Sequence, residues 1–188
     1  MKRLSLSEAN YRAVLDGHKT LTHRVRKPGQ KPPYKPGEIV ALTLPHWRWN
    51  SCVGAHLWDQ VTRTERFKEG EGISVIPSGH YLTPNIAYER RPAFLMPVWA
   101  ALHHAEIVSC EPQTLGDVTD ADVILEGIYP ANGPYWRYPG SNHDYSWPMA
   151  AYRTEWDALN ARRGYPWRED LGVWRIEFRL KGDTDATD

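Results

Sequence analysis

Hydrophobic and polar residues alternate most regularly near the end of the chain. There Trp174, Ile176, Phe178 and Leu180 fall on one side of an extended segment, and Arg175, Glu177 and Arg179 on the other. A repeat of two predicts a half-buried strand over 173–180. An apolar run over 4–6 predicts a short strand at the start, followed by a helix capped either by Ser5, with Glu8 three residues on, or by Ser7. Tyr11, Val14 and Leu15 then share a face, and Asp16-Gly17 ends the helix. Residues 18–24 are polar and lie between that stop and a basic, proline-rich stretch, so they read as a loop held at both ends. Residues 39–44, after the turn Tyr34-Lys35-Pro36-Gly37, read as a buried strand, and 99–110 as another. Thr119 caps a helix over 120–126 that Gly127 ends, and a longer helix over 149–163 carries Trp156 and Leu159 in register before Gly164.

Two stretches interrupt these elements. Residues 45–97 are Trp-rich and punctuated by Gly and Pro, with a hairpin expected at Gly70-Glu71-Gly72, and 129–148 form a second long loop. Strands separated by short helices suggest an α+β fold, a small mixed barrel with helices plugging its ends. The 188-residue length fits one domain over 1–181, decorated by two insertions, with a disordered acidic tail over 182–188.

Composition narrows the partners. Lys+Arg and Asp+Glu are equal at 23 each, so any nucleic-acid contact must come from a local patch. Such a patch lies over 24–35, where Arg24, Arg26, Lys27, Lys31 and Lys35 form a basic loop that would suit phosphate contact. No run approaches the ~18 apolar residues of a membrane span and the N-terminus lacks a signal-type apolar stretch, so the cytoplasm is the expected compartment and no membrane partner is expected. Cys52 and Cys110 stand alone, as free thiols, and adjacent His103 and His104 point to opposite faces of a strand, so no metal site and no cofactor is expected. The chain holds 9 Trp and 10 Tyr against 3 Phe, rings with a polar handle that suit a pocket or recognition face.

Five motifs in order resemble the ASCH family of the PUA-like superfamily, in the form common in phage and prophage genomes. They are DGHKTLTHRV at 16–25, YKPGE at 34–38, LMPVWA at 95–100, LGDVTDADVILEGI at 115–128 and VWRIEF at 173–178. The sequence departs from that pattern with His23 where a second Arg is usual, with Thr43 and Leu44, and with Leu102. The resemblance implies a mixed, mostly antiparallel β-barrel with flanking short helices. It also implies either RNA or modified-nucleic-acid binding without catalysis, or nucleoside chemistry. Small bacterial members are amidohydrolases that deacylate N4-acetylcytidine, and their Lys, Thr and Glu correspond by motif position to Lys19, Thr22 and Glu126.

The residues suit that chemistry. Amide hydrolysis without a metal needs a nucleophile, a base, oxyanion donors and an acid for the leaving amine. Lys19 is expected as base, Thr22 as nucleophile or water-positioner, and Glu126 as the group serving the leaving cytosine amine. Arg24, Thr20, Trp47 and Trp136 are the expected substrate-binding residues, the two Trp as stacking rings. The expected substrate is an N4-acylated cytidine or a related acylated nucleobase; the sequence leaves the oligomeric state open.

Overall fold

The computed structural model describes residues 1–51 and 86–182. Along the described chain run β1 (Lys2–Ser5), α1 (Glu8–Leu15), β2 (Leu21–Val25), β3 (Ile39–Thr43), β4 (His46–Ser51), β5 (Ile86–Arg91), β6 (His104–Thr114), α2 (Asp120–Leu125), β7 (Tyr129–Pro130), β8 (Trp136–Arg137), α3 (Pro148–Asn160) and β9 (Gly172–Leu180). They gather into two compact units, Met1–Glu8 with Ala41–Leu102, and Ala9–Val40 with His103–Asp188. The hairpin expected at Gly70-Glu71-Gly72, Cys52 and the tail beyond residue 182 lie outside the described residues.

In the smaller unit β1 lies beside β3, tied by Leu6 N–H to the Thr43 carbonyl at 2.8 Å and by the Ser5 and Thr43 hydroxyls at 2.9 Å. β4 and β5 pair antiparallel from His46 opposite Arg91 to Ser51 opposite Ile86. Pro92 and Pro97, with φ fixed at −66° and −61°, each start a single 3-10 turn. The second turn occupies Val98–Ala100, so the strand expected from residue 99 begins instead at His104.

The larger unit holds the antiparallel ladder β6–β9–β2. Along β9, Trp174, Ile176 and Phe178 are buried while Arg175 and Glu177 stay half-buried, as the alternation requires; Leu180, at the end, is exposed. Opposite it β6 carries a bulge, with Ile107 facing Phe178 and Ser109 facing Glu177, so that Val108 is an extra residue. The segment read as a loop over 18–24 contains a strand, β2, running from Leu21 opposite Glu177 to Val25 opposite Val173. Its polar side chains hide the pattern because Thr22 and His23 are buried alongside Leu21.

The expected barrel does not close. Among the described residues β2 pairs with β9 alone and so ends the ladder of the larger unit, and β1 has β3 as its one strand neighbour. The strands are mostly antiparallel but form an open sheet.

Against β9 lies an apolar cluster of Leu115, Val118, Val123, Ile128, Ala151, Tyr152, Trp156 and Val173, supplied chiefly by α2, α3 and their flanks. Burying each large side chain contributes about 1.5–3 kcal/mol, enough to recruit the second long loop. Trp136, Tyr138 and Tyr145 pack on the cluster, and the loop has its own order: β7 pairs with β8 and Trp136 bridges to Tyr145. Among the described residues no helix is long and apolar enough to cross a membrane.

α2 is short, and its ends carry its stability. Thr119 and Asp122 form a reciprocal capping box, and Asp122 also accepts from Arg175 Nε at 2.9 Å. At the other end Gly127 takes φ +98°, where an added Cβ would meet Lys19 Cβ at 3.3 Å and Pro139 Cγ at 3.4 Å. Gly127→Ala is therefore expected to destabilise the fold by about 1–3 kcal/mol, read as a lower urea midpoint at unchanged slope; an unchanged midpoint would contradict this.

Candidate active site

Two chain reversals point their side chains at one spot. After α1, Gly17 turns left-handed at φ +74°, and the N–H groups of His18 and Lys19 both donate to the Ala13 carbonyl at 2.9 Å, which turns Lys19 back into the protein. After α2, Glu126 still donates its N–H to the Asp122 carbonyl, and Gly127 then releases the chain. A bond from Thr20 N–H to the Leu125 carbonyl, 2.9 Å, holds the two reversals together.

The free edge of β2 completes the site. Phe178 N–H donates to the Thr20 carbonyl and Arg26 N–H to the Gly172 carbonyl, so the even-numbered residues of β2 bond the ladder and the N–H of His23 faces off the sheet. Glu126 Oε1 accepts that N–H at 2.5 Å and lies 2.9 Å from His23 Nδ1. On the other side of the carboxylate, Lys19 Nζ donates to Oε2 and, at 2.6 Å, to the Glu126 carbonyl. Tyr152 O–H approaches His23 Nδ1 at 3.0 Å and Glu126 Oε1 at 3.4 Å. His23 Nε2 meets Gln113 Oε1 at 3.1 Å, and Gln113 in turn donates to the Asp117 carbonyl. Lys19 is 2% exposed and Glu126 5%, so this is a buried ion pair with its lone pairs met by protein donors.

Burial alone would push the Glu126 carboxyl up. The Lys19 charge, helped by hydrogen bonding and charge at His23, more than offsets this and holds it down to about 2. Glu155 on α3 behaves oppositely: burial pushes it up to about 7, against weaker opposing pulls from Lys19, Asn10 and Arg24. Burial also drives the Tyr152 phenol well above its ordinary value, so Tyr152 is a neutral donor here.

Of the residues expected from the sequence, Lys19 and Glu126 are in direct contact. Thr22 is buried one residue away in β2, opposite Ile176. Strand alternation sends it to the face opposite His23, and among the described residues its hydroxyl makes no hydrogen bond. Thr20 and Arg24, both half-buried, flank Thr22 at two-residue spacing on that same face. Trp136, half-buried, packs against the apolar cluster, and the side chain of Trp47 lies outside the described residues. His103, expected within a strand, precedes β6 and shares a 2.7 Å hydrogen bond with Tyr11. Among the described residues no three His, Cys, Asp or Glu side chains group to hold a metal ion.

Sequence reasoning did not find the roles of His23, Gln113, Tyr152 and Glu155. For Glu155 a signal existed: it falls with Ala151, Tyr152 and Trp156 on the buried stripe of α3, where an unpaired acid is costly.

No family model matches the chain, and no curated protein matches it. Among solved structures the chain is similar to one described as the high resolution crystal structure of the ASCH domain from Lactobacillus crispatus JV V101. The two are 14% identical with a TM-score of 0.41, over 90% of this chain and 68% of that one. This likeness carries no argument about what the site does.

The two acids give stability opposite pH dependences. Glu126 has a folded value below its ordinary 4.5, so the stability it confers is complete above pH 4.5 and is lost as pH falls towards 2. Glu155 has a folded value above 4.5, so its contribution is complete below pH 4.5 and is lost as pH rises through about 7. Thermal midpoints measured from pH 2 to 8 are expected to rise and then fall across these two windows. Glu126→Gln should remove the rise and Glu155→Gln the fall; a wild-type profile flat between pH 4.5 and 7 would contradict the second assignment.

Proposed function

We propose that the Lys19–Glu126 pair is the reactive centre of a metal-independent amidohydrolase that removes the acyl group from N4-acylated cytidine or a related acylated nucleobase. The observation carrying this reading is the buried contact itself: an ammonium and a carboxylate 107 residues apart in sequence, folded together at the free edge of β2. A carboxylate held near 2 is ionised and has no proton of its own to give, so it must first take the proton that it later passes to the leaving amine.

In this reading Lys19 is the donor. Glu126 uses two of its three N–H groups, and the third is free to meet the acyl oxygen as negative charge develops there. As Lys19 turns towards that oxygen, the largest influence depressing the Glu126 carboxyl weakens, and Glu126 regains the basicity of an ordinary carboxylate. A water held by Thr22 adds to the acyl carbon and gives a proton to Glu126. The C–N bond then breaks as the exocyclic nitrogen takes that proton, releasing cytidine and the free acid. Thr20 and Arg24, on the Thr22 face, contact the substrate.

A second reading has its own support. Lys27, Lys31 and Lys35 are all exposed and make no salt bridge among the described residues, as a phosphate-binding loop requires.

The assay is release of cytidine from N4-acetylcytidine and N4-benzoylcytidine, followed by ultraviolet absorbance with chelator present. Lys19→Ala, Thr22→Val and Glu126→Gln are each expected to lose about 10²–10⁴ in rate while remaining folded. No release by wild type, combined with RNA binding that weakens steeply with salt, would overturn hydrolysis in favour of the binding module.

A further inference from the structure

α3 brings a second acid to the site. Glu155 stands three residues beyond Tyr152, on the same face of the helix, and Tyr152 is the residue whose hydroxyl reaches Glu126 and His23. It is 7% exposed, and its Oε1 accepts from Asn10 Nδ2 at 3.1 Å. Asn10 is neutral, and among the described residues Glu155 makes no ion pair. A buried carboxylate with a single amide partner is poorly compensated, unlike Glu126.

The charged and titratable groups around Glu155 are those of the reactive centre. The charges of Lys19 in the turn after α1, Glu126 at the end of α2 and Arg24 in β2 act on Glu155, and its own charge acts on Tyr152 of α3. The Lys19 charge thus acts on two carboxyls, in contact with Glu126 and through space, without an ion pair, on Glu155. They cannot both be ionised cheaply, and the one with the better hydrogen bonds ionises first.

We propose that Glu155 is a positioning residue of this site: protonated, it leaves Lys19 to Glu126, and ionised, it competes for the Lys19 ammonium and shuts the reaction off. The proposal rests on the reading of Lys19 and Glu126 as the reactive pair. Its supporting electrostatics are the opposite displacements of the two acids, Glu126 down to about 2 and Glu155 up to about 7, the pattern by which neighbouring carboxyls take different tasks.

Glu155→Gln isolates the effect, because glutamine keeps an oxygen for Asn10 but does not titrate, whereas Glu155→Leu removes both. Cytidine release from N4-acetylcytidine should fall about tenfold per pH unit above a midpoint near 7 in the wild type. In Glu155→Gln that falling limb should vanish with the maximal rate kept, and Glu155→Leu should lose fold stability at every pH. A Glu155→Gln enzyme that keeps the wild-type falling limb overturns the proposal.

A substrate-free measurement separates this from failure of the hydrolase reading. With 15N-labelled lysine, the Lys19 Nζ resonance of the full chain is expected to shift through the same midpoint in the wild type and to stay constant in Glu155→Gln. If no cytidine is released but this shift is seen, hydrolysis is wrong and the competition for Lys19 stands. If Lys19 does not respond across pH 5–9, the competition is wrong whether or not cytidine is released.

Discussion

A carboxylate taken out of water costs several kcal/mol unless its oxygens are met by charge and hydrogen bonds, and Glu126 is such a group. Its Oε2 is met by the Lys19 ammonium and its Oε1 by the backbone and ring of His23, with Tyr152 behind. Each of these partners comes from a different part of the larger unit. The turn after α1 supplies Lys19, the edge of β2 supplies His23, and α3 supplies Tyr152. Losing any one would leave charge or donor capacity buried without a counterpart, so the placement of all three elements depends on this one residue.

The openness of the sheet follows from the same constraint. A strand paired along both edges has no free N–H to offer, whereas β2 has β9 on one side and the end of α2 on the other. The Glu126 carboxylate takes the position that a further strand would fill in a closed barrel. Gly127 permits this, because a left-handed residue without a Cβ lets the chain leave α2 directly against Lys19. Glu155 shows the contrast. Lying in the same region but held by a neutral amide, it is driven in the opposite direction, and the difference between the two acids is one of partners rather than of burial.

What could be read from the sequence was whatever local chemistry dictates. The cap at Thr119, the stops at Gly17, Gly127 and Gly164, and the alternation of β9 each depend on a few consecutive residues, and each stands in the structure. β2 was not legible because two of its three buried residues are Thr22 and His23, whose polarity mimics a loop until the distant Glu126 satisfies the edge. That Lys19 and Glu126 belong to one site was expected through the resemblance to ASCH-family motifs rather than from any local pattern; their direct contact was not. His23, at a departure from those motifs, became meaningful only when its N–H and ring were seen on the same carboxylate. Trp136 was read from the sequence as an aromatic ring in a loop, and its packing on the apolar cluster depends on residues of α2 and α3 that no local pattern joins to it.

Lys19 and Glu126 hold each other in place as a coupled pair, and a double-mutant cycle measures that coupling. Urea unfolding at pH 7 of Lys19→Met, Glu126→Gln and the double variant gives the interaction free energy directly. Each single change leaves a buried group without its counter-ion and is expected to cost about 3–5 kcal/mol, with the double variant recovering at least about 1 kcal/mol relative to the sum. If the two losses add to within about 0.5 kcal/mol, the carboxylate and the ammonium do not sustain each other and the arrangement described for this site is wrong.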